Sequence, residues 1–88
     1  MGGGKQIMLR LLLKLRIRRD KEIIKRLVTK DLNNNLDIIA AIIIKTLSIL
    51  KSKDLDTKNY LGGIFKYIPS KSIEIENFKI NLLKLVNY

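Results

Sequence analysis

Isoleucine and leucine supply 30 of the 88 residues, while cysteine and histidine are both absent. A chain of this size forms one domain. Because it has no thiol for a disulfide and no His or Cys ligand for structural zinc, burial of aliphatic side chains has to stabilise the fold. The same absences remove the thiol nucleophile and the commonest general base. With 47% apolar residues, we expect a folded domain with an aliphatic core.

Positive charge is concentrated at the N-terminal end of the chain. The formal net charge is +10, and residues 1–30 carry ten basic and two acidic groups, a net of +8. All five arginines lie between positions 10 and 26. Since the guanidinium group grips phosphate with two parallel hydrogen bonds, this cluster indicates an anionic partner. The residues that we predict to contact nucleic acid are Arg10, Lys14, Arg16, Arg18, Arg19, Lys21, Lys25 and Arg26.

The segment from residue 7 to residue 18 has a periodicity that fits two structures. As a strand, it alternates apolar residues with the basic residues Lys14, Arg16 and Arg18. As a helix, the segment gains from the high helix propensity of leucine. However, Arg16 then falls on the apolar side of the helix and Ile17 on the basic side. The periodicity therefore leaves both an N-terminal strand and an N-terminal helix open.

A break is predicted near Arg19–Asp20, because these two residues would interrupt the apolar face of a longer helix. Asp20 is a favourable N-cap, and an amphipathic helix follows it to about Lys30. The asparagine triplet at residues 33–35 is typical of a turn and ends this helix. The sequence thus predicts a short second element between residues 20 and 32.

The next helix, from Leu36 to about Lys51, is apolar nearly all round, with Lys45 as the charge in its middle. Such a helix is buried on several sides, either in its own domain or against another subunit. We therefore expect a protein partner or a homodimer contact through residues 36–51. The apolar run at residues 38–50 is too short to cross a bilayer.

A third helix is predicted after an N-cap at Asp54 or Asp56, with a hairpin turn at Gly62-Gly63 as the alternative. Residues 73–76 alternate like a short strand, and a final helix is expected from residue 78 to residue 87. The predicted fold is a mainly α single domain over residues 7–88, after a flexible N-terminus at residues 1–6. It has three to four short helices, with an N-terminal β-strand as an open alternative.

No group of residues in the sequence has the spacing of a catalytic or metal site. Asp54 and Asp56 form a close pair, but further oxygen ligands for a divalent cation are not evident. The serines have no histidine to activate them. We therefore expect a protein that is not an enzyme, without a metal or another cofactor.

A strand, a short helix, a turn and an apolar helix are predicted in this order over residues 14–50. The residues that carry this pattern are Leu15–Asp20, Ile23, Ile24, Leu27, Asp37–Ile39, Ile42 and Ile43. The pattern resembles the ribbon-helix-helix family of DNA-binding dimers. The resemblance implies that Lys14, Arg16 and Arg18 face bases from a strand shared between two subunits. It also implies that the helix start near Asn34–Asn35 meets a phosphate.

The charge pattern predicts a small nucleic-acid-binding protein that contacts the phosphate backbone through its basic N-terminal segment. Aromatic residues for stacking are absent from that segment, which favours duplex DNA or structured RNA, with DNA preferred. The alternative is a non-catalytic accessory subunit of a larger nucleic-acid machine, such as a DNA polymerase, replication complex or ribosome. A cationic segment can also lie on a membrane, but we do not expect a membrane partner. The expected location is cytoplasmic.

Overall fold

A computed structural model of the chain describes residues 2–87, with side chains from residue 7 onward. That part of the chain contains four α-helices, α1 (Gly2–Asp31), α2 (Leu36–Ser52), α3 (Thr57–Phe65) and α4 (Ile73–Val86). A single 3₁₀ turn at Asn33–Asn35 joins α1 to α2. The predicted mainly α class is therefore confirmed. None of these helices combines the length and the apolar content that crossing a bilayer requires.

Helix α2 lies at the centre of the domain and packs against each of the other three helices. Its inward face holds Leu36, Ile39, Ile43, Leu47 and Leu50. The other helices add buried side chains to the same core, namely Ile24, Tyr60, Leu61, Ile64, Ile75, Leu82 and Val86, and Ile68 joins them from the connection after α3. The aliphatic core expected from the composition is thus shared by all four helices.

Helix α1 is continuous from Gly2 to Asp31, so of the two structures left open for residues 7–18 the helix is correct and the strand is wrong, and the predicted break at Arg19–Asp20 is also wrong. A strand needs a neighbour to bond its backbone N–H and C=O groups, and residues 2–87 contain no strand for it to pair with. A helix satisfies these groups within the segment itself, and the leucine, lysine and arginine content of the segment favours that choice. The flexibility expected for residues 1–6 stays a prediction.

Asp20 is the residue on which the predicted break depended, and it lies in the middle of α1 on the core side rather than at a helix start. It is 3% exposed. Its carboxylate accepts hydrogen bonds from the Thr46 hydroxyl at 2.5 Å and from the Tyr60 hydroxyl at 2.8 Å. Because a buried carboxylate is tolerated when it is hydrogen-bonded, Asp20 occupies an otherwise apolar face without ending the helix.

The N-terminal half of α1 leaves large apolar side chains in solvent. Each of them is between 42% and 65% exposed, and they are Ile7, Met8, Leu9, Leu11, Leu12 and Leu15. Only Leu13 and Ile17 of this half pack against the core. With 30 residues, α1 is about 45 Å long and accounts for most of the 49 Å extent of the molecule. Its N-terminal half therefore has few neighbours to cover it.

The predictions for α2 and α3 agree with the structure. Helix α2 ends one residue beyond the predicted Lys51, at Ser52. Asp56 is the N-cap of α3, and its carboxylate accepts a hydrogen bond from the Asn59 backbone N–H at 3.0 Å. Gly62 and Gly63 both lie inside α3, so the alternative of a hairpin turn is wrong.

The strand predicted at residues 73–76 is also wrong, because these residues form the first turn of α4. The Ser72 hydroxyl accepts a hydrogen bond from the Ile75 N–H and caps the helix. Glu74 and Glu76 lie in that first turn, where the helix dipole favours negative charge. A four-residue alternation was too short to outweigh these helix-start signals.

We predict that Gly62→Ala stabilises the protein. Gly62 is exposed within α3, and a Cβ placed there meets no atom within 4 Å. Alanine should therefore raise the free energy of unfolding by about 1 kcal/mol through helix propensity. Urea denaturation followed by circular dichroism measures this change. A lower free energy of unfolding than that of the wild type would contradict the helical assignment of this pair.

We predict that Tyr60→Phe destabilises the protein by about 1–2 kcal/mol at neutral pH, because it removes one of the two hydroxyl donors to the buried Asp20 carboxylate. Burial raises the pKa of Tyr60, and the hydrogen bond to Asp20 and its negative charge raise it further. In the unfolded chain this phenol ionises near pH 10.

The direction of the pH effect follows from the protonation of Tyr60 in the folded chain and in the unfolded chain. Below pH 10 both states keep the phenol protonated, so the contribution of Tyr60 is constant. Above that pH the unfolded chain ionises first, and wild-type stability should fall by about 1.4 kcal/mol per pH unit from this group. The difference in stability between wild type and Tyr60→Phe should therefore shrink above pH 10. If the difference in stability between wild type and Tyr60→Phe stayed constant up to pH 11.5, this prediction would be wrong.

Candidate nucleic-acid interface

All eight predicted contact residues lie on α1, but the helix separates them into two groups. Five of them recur at spacings of four, four, three and four residues and therefore share one face. We call this group the basic stripe, and its members are Arg10, Lys14, Arg18, Lys21 and Lys25. The remaining three, Arg16, Arg19 and Arg26, lie outside it. The structure therefore brings together five of the eight predicted residues.

The basic stripe is long and stiff. Its first and last residues are fifteen positions apart, which places them about 22 Å from each other along the helix axis. Arg10, Lys14 and Arg18 are exposed, so their charged groups reach solvent. One continuous helix carries all five cations, and their relative positions are fixed by its geometry.

A groove of about 460 Å³ runs beside the middle of the basic stripe. Its basic lining comes from Lys14, Arg18 and Lys21, and Glu22 is the acidic residue on its wall. Tyr67, just beyond the C-terminus of α3, supplies an aromatic side chain to the same groove. The groove therefore combines cationic groups with one aromatic surface.

Two contacts attach the stripe to the α3 side of the domain. The Lys25 ammonium lies 5.3 Å from the centre of the Tyr67 ring, within the range of a cation–π interaction. Lys21 is half-buried against α3, and a Cβ at Gly63 would lie 3.6 Å from its Nζ atom. The C-terminal part of the stripe is thus held in place by tertiary contacts.

Arg16 and Arg19 lie on the side of α1 that faces α2. They line a second, separate cavity of about 250 Å³ together with Lys45 and Ile42 of α2. Arg26 follows Arg19 after seven residues, two helical turns further on, and is exposed. A strand would have placed Lys14, Arg16 and Arg18 on one face, as the resemblance to the ribbon-helix-helix family implies. In the helix, Arg16 faces a different direction from the other two.

Arg16 also takes part in the hydrogen-bonded cluster around Asp20. Its Nε atom donates to the Thr46 hydroxyl oxygen at 3.1 Å. Thr46 is fully buried, although it lies in the middle of an isoleucine-rich helix. The cluster, which we call the polar cluster, consists of Arg16, Asp20, Thr46 and Tyr60 and links α1, α2 and α3.

Sequence reasoning missed Tyr67, Lys45 and Thr46 as parts of these surfaces. Tyr67 is 42 positions from Lys25, and Lys45 is 26 positions from Arg19. No local periodicity connects residues so far apart, since only the packing of α2 and α3 against α1 places them together. A threonine within an isoleucine run was the one available signal, because a buried hydroxyl needs a partner.

Comparison with known proteins does not add a relative. No protein-family model matches this chain, and neither the curated proteins nor the solved structures give a match. The interpretation of the basic surfaces therefore depends on their geometry and charge.

Proposed function

We propose that this chain binds the phosphate backbone of nucleic acid through the basic stripe of α1. The observation that carries the proposal is the placement of five cations along one face of a single helix, at successive rises of about 6, 6, 4.5 and 6 Å. A row of this kind can neutralise several phosphates together. Release of the condensed counterions then drives binding in a salt-dependent manner.

Duplex DNA is the ligand that we propose. B-form DNA carries one negative charge per about 1.7 Å of its axis, and its major groove, about 12 Å wide, admits an α-helix. The major groove of A-form RNA is deep and narrow, and side chains do not read it. A stiff helix with a cationic face therefore suits DNA better than double-stranded RNA.

Tyr67 does not change this preference. Aromatic side chains in a basic groove often stack on the bases of single strands. Here the Lys25 ammonium already lies over the Tyr67 ring, and no second aromatic residue lines the described groove. Backbone contacts by the cations are therefore the main interaction that we propose.

We predict that the double variant Lys14→Ala/Arg18→Ala binds duplex DNA at least about tenfold more weakly than the wild type at low salt. Each lost phosphate contact should also make the log–log slope of affinity against salt concentration shallower by about 0.9. The loss of both contacts in the double variant should therefore reduce the slope by about two. Fluorescence anisotropy with a labelled random-sequence duplex, measured over a salt series, gives both quantities.

A matched control is Lys58→Ala/Lys84→Ala. Both lysines are exposed and lie outside the stripe, on α3 and α4, and the variant removes the same two charges from the chain. Its affinity should stay within about threefold of the wild type. Equal losses in the two variants would mean that net charge, and not the stripe, attracts the DNA. Absence of binding by the wild type would reject the proposed function itself.

An accessory-subunit role is the second candidate, and the exposed apolar residues of α1 favour it. The partner contact was expected through residues 36–51, but much of α2 is buried in the chain's own core, with Ile38 and Ile44 exposed. Met8, Leu11, Leu12 and Leu15 form a more continuous exposed surface, which we call the apolar face of α1. Residues 1–19 contain no acidic residue. The complementary partner is therefore a protein with an apolar groove and acidic flanks.

We predict that Leu12→Ser/Leu15→Ser lowers binding of the dye 8-anilinonaphthalene-1-sulfonate by the native protein while leaving the thermal unfolding midpoint within about 2 °C of the wild type. Both leucines are more than half exposed, so little native packing is lost. Dye fluorescence and circular dichroism give the two measurements. Unchanged dye binding would remove the support for a docking surface at this position.

A further inference from the structure

The hydrogen bonds of the polar cluster have a fixed direction. A threonine hydroxyl has one proton to donate. The Thr46 hydroxyl gives this proton to Asp20 Oδ2 and can therefore only accept a hydrogen bond from Arg16 Nε. Tyr60 donates to the same Asp20 oxygen from the other side. The buried carboxylate thus sets the position of Thr46, and Thr46 in turn sets the position of the Arg16 side chain.

This arrangement leaves the outer nitrogens of the Arg16 guanidinium available. Within residues 7–87, the side-chain hydrogen bond of Arg16 uses its Nε atom. No side-chain nitrogen or oxygen in that range is buried without a partner. The two terminal nitrogens of Arg16 therefore have accessible surface, and the Arg16 side chain lines both the cavity between α1 and α2 and a neighbouring groove beside Leu12 and Ile49. Their N–H groups form the fork that binds two oxygens of one anion.

Two further cations line the same cavity, Arg19 from α1 and Lys45 from α2. Both are exposed. With Arg16 they bring three positive charges to a space of about 250 Å³, against the single negative charge of Asp20. One oxygen of that carboxylate is already engaged by Thr46 and Tyr60. The cavity is therefore cationic and has room for a group the size of several water molecules.

We propose that this cavity is a phosphate-binding site, in which Arg16, Arg19 and Lys45 contact the phosphate oxygens and Thr46 and Asp20 are positioning residues for Arg16. The site shares no residue with the basic stripe, so it goes beyond the proposed function and does not depend on it. The phosphate group can come from a nucleic-acid backbone or from free phosphate, and the experiment below distinguishes the two sources.

Phosphate fits this cavity better than a carboxylate does. Three cations face one buried carboxylate, which leaves an excess of two positive charges. A free phosphate dianion neutralises both of them, and a backbone phosphodiester neutralises one. Phosphate also offers enough oxygens for the Arg16 fork and for the ammonium of Lys45 together. Because Thr46 already holds the Arg16 side chain, less side-chain entropy is lost when the anion binds.

The test uses the full chain labelled with ¹⁵N and titrated with inorganic phosphate at constant ionic strength, with chloride as the reference anion. The Arg16 Nε–H signal and the backbone signals of Arg19 and Lys45 should shift with phosphate and saturate, and they should stay in place with chloride. A parallel titration with a short DNA duplex identifies the source. Shifts with the duplex as well indicate a backbone phosphate, while shifts with phosphate alone indicate a free one.

Variants test the ligands and the positioning residues separately. Lys45→Ala should weaken phosphate binding at least about threefold, whereas Lys84→Ala, which removes the same charge from α4, should change it less than about twofold. Thr46→Val removes the acceptor for Arg16 and should weaken binding by a similar factor to Lys45→Ala. Thr46→Ser keeps the hydroxyl and should restore the wild-type affinity.

Ser72→Ala is the control for general destabilisation. It removes the side-chain cap of α4, which lies outside the cavity, so the fold loses stability while phosphate affinity should stay within about twofold of the wild type. Equal weakening by Thr46→Val and Ser72→Ala would overturn the positioning role. Equal shifts with phosphate and chloride would overturn the site. Loss of DNA binding in the stripe variant, with phosphate shifts retained, would leave this proposal intact.

Discussion

The carboxylate of Asp20 is the group on which the arrangement of α1, α2 and α3 depends. It is buried, and it accepts hydrogen bonds from Thr46 on α2 and Tyr60 on α3. A shift of α1 by one turn would bury the same carboxylate without its donors, at a cost of several kcal/mol. The aliphatic side chains around it supply most of the burial, but they tolerate many alignments. The polar cluster therefore selects one alignment from those that the core permits.

That alignment places cations on two sides of α1. The basic stripe faces the side of α3 and Tyr67, whereas Arg16 and Arg19 face Lys45 of α2. Both surfaces suit phosphate, but they differ physically. The stripe is a row of mostly exposed charges along a stiff rod, suited to a backbone with repeated charges. The cavity is compact, and one of its arginines is fixed by a buried acceptor, which suits a single anion.

The N-terminal half of α1 carries both basic residues and exposed apolar side chains. Apart from Leu13, its leucines are largely exposed, while the C-terminal half of α1 packs on the core through Ile24, Leu27 and Val28. The two halves of α1 therefore differ in their surroundings. Its C-terminal half packs in the folded domain, and its N-terminal half carries the exposed apolar face that favours the second candidate function.

Some features depend on neighbouring residues and could therefore be predicted from the sequence. They are the helical class, the bounds of α2 to within one residue, a cap for α3 at Asp54 or Asp56, and the concentration of positive charge on residues 10–26. The sequence left strand and helix both open for residues 7–18. It wrongly predicted a break at Arg19–Asp20, from one acidic residue, and a strand at residues 73–76, from a short alternation. Whether Asp20 ends a helix or lies buried within it is decided by Thr46 and Tyr60, which are 26 and 40 positions away. For the same reason, only the tertiary structure could separate Arg16 from Lys14 and Arg18 and bring Tyr67 and Lys45 to the basic surfaces.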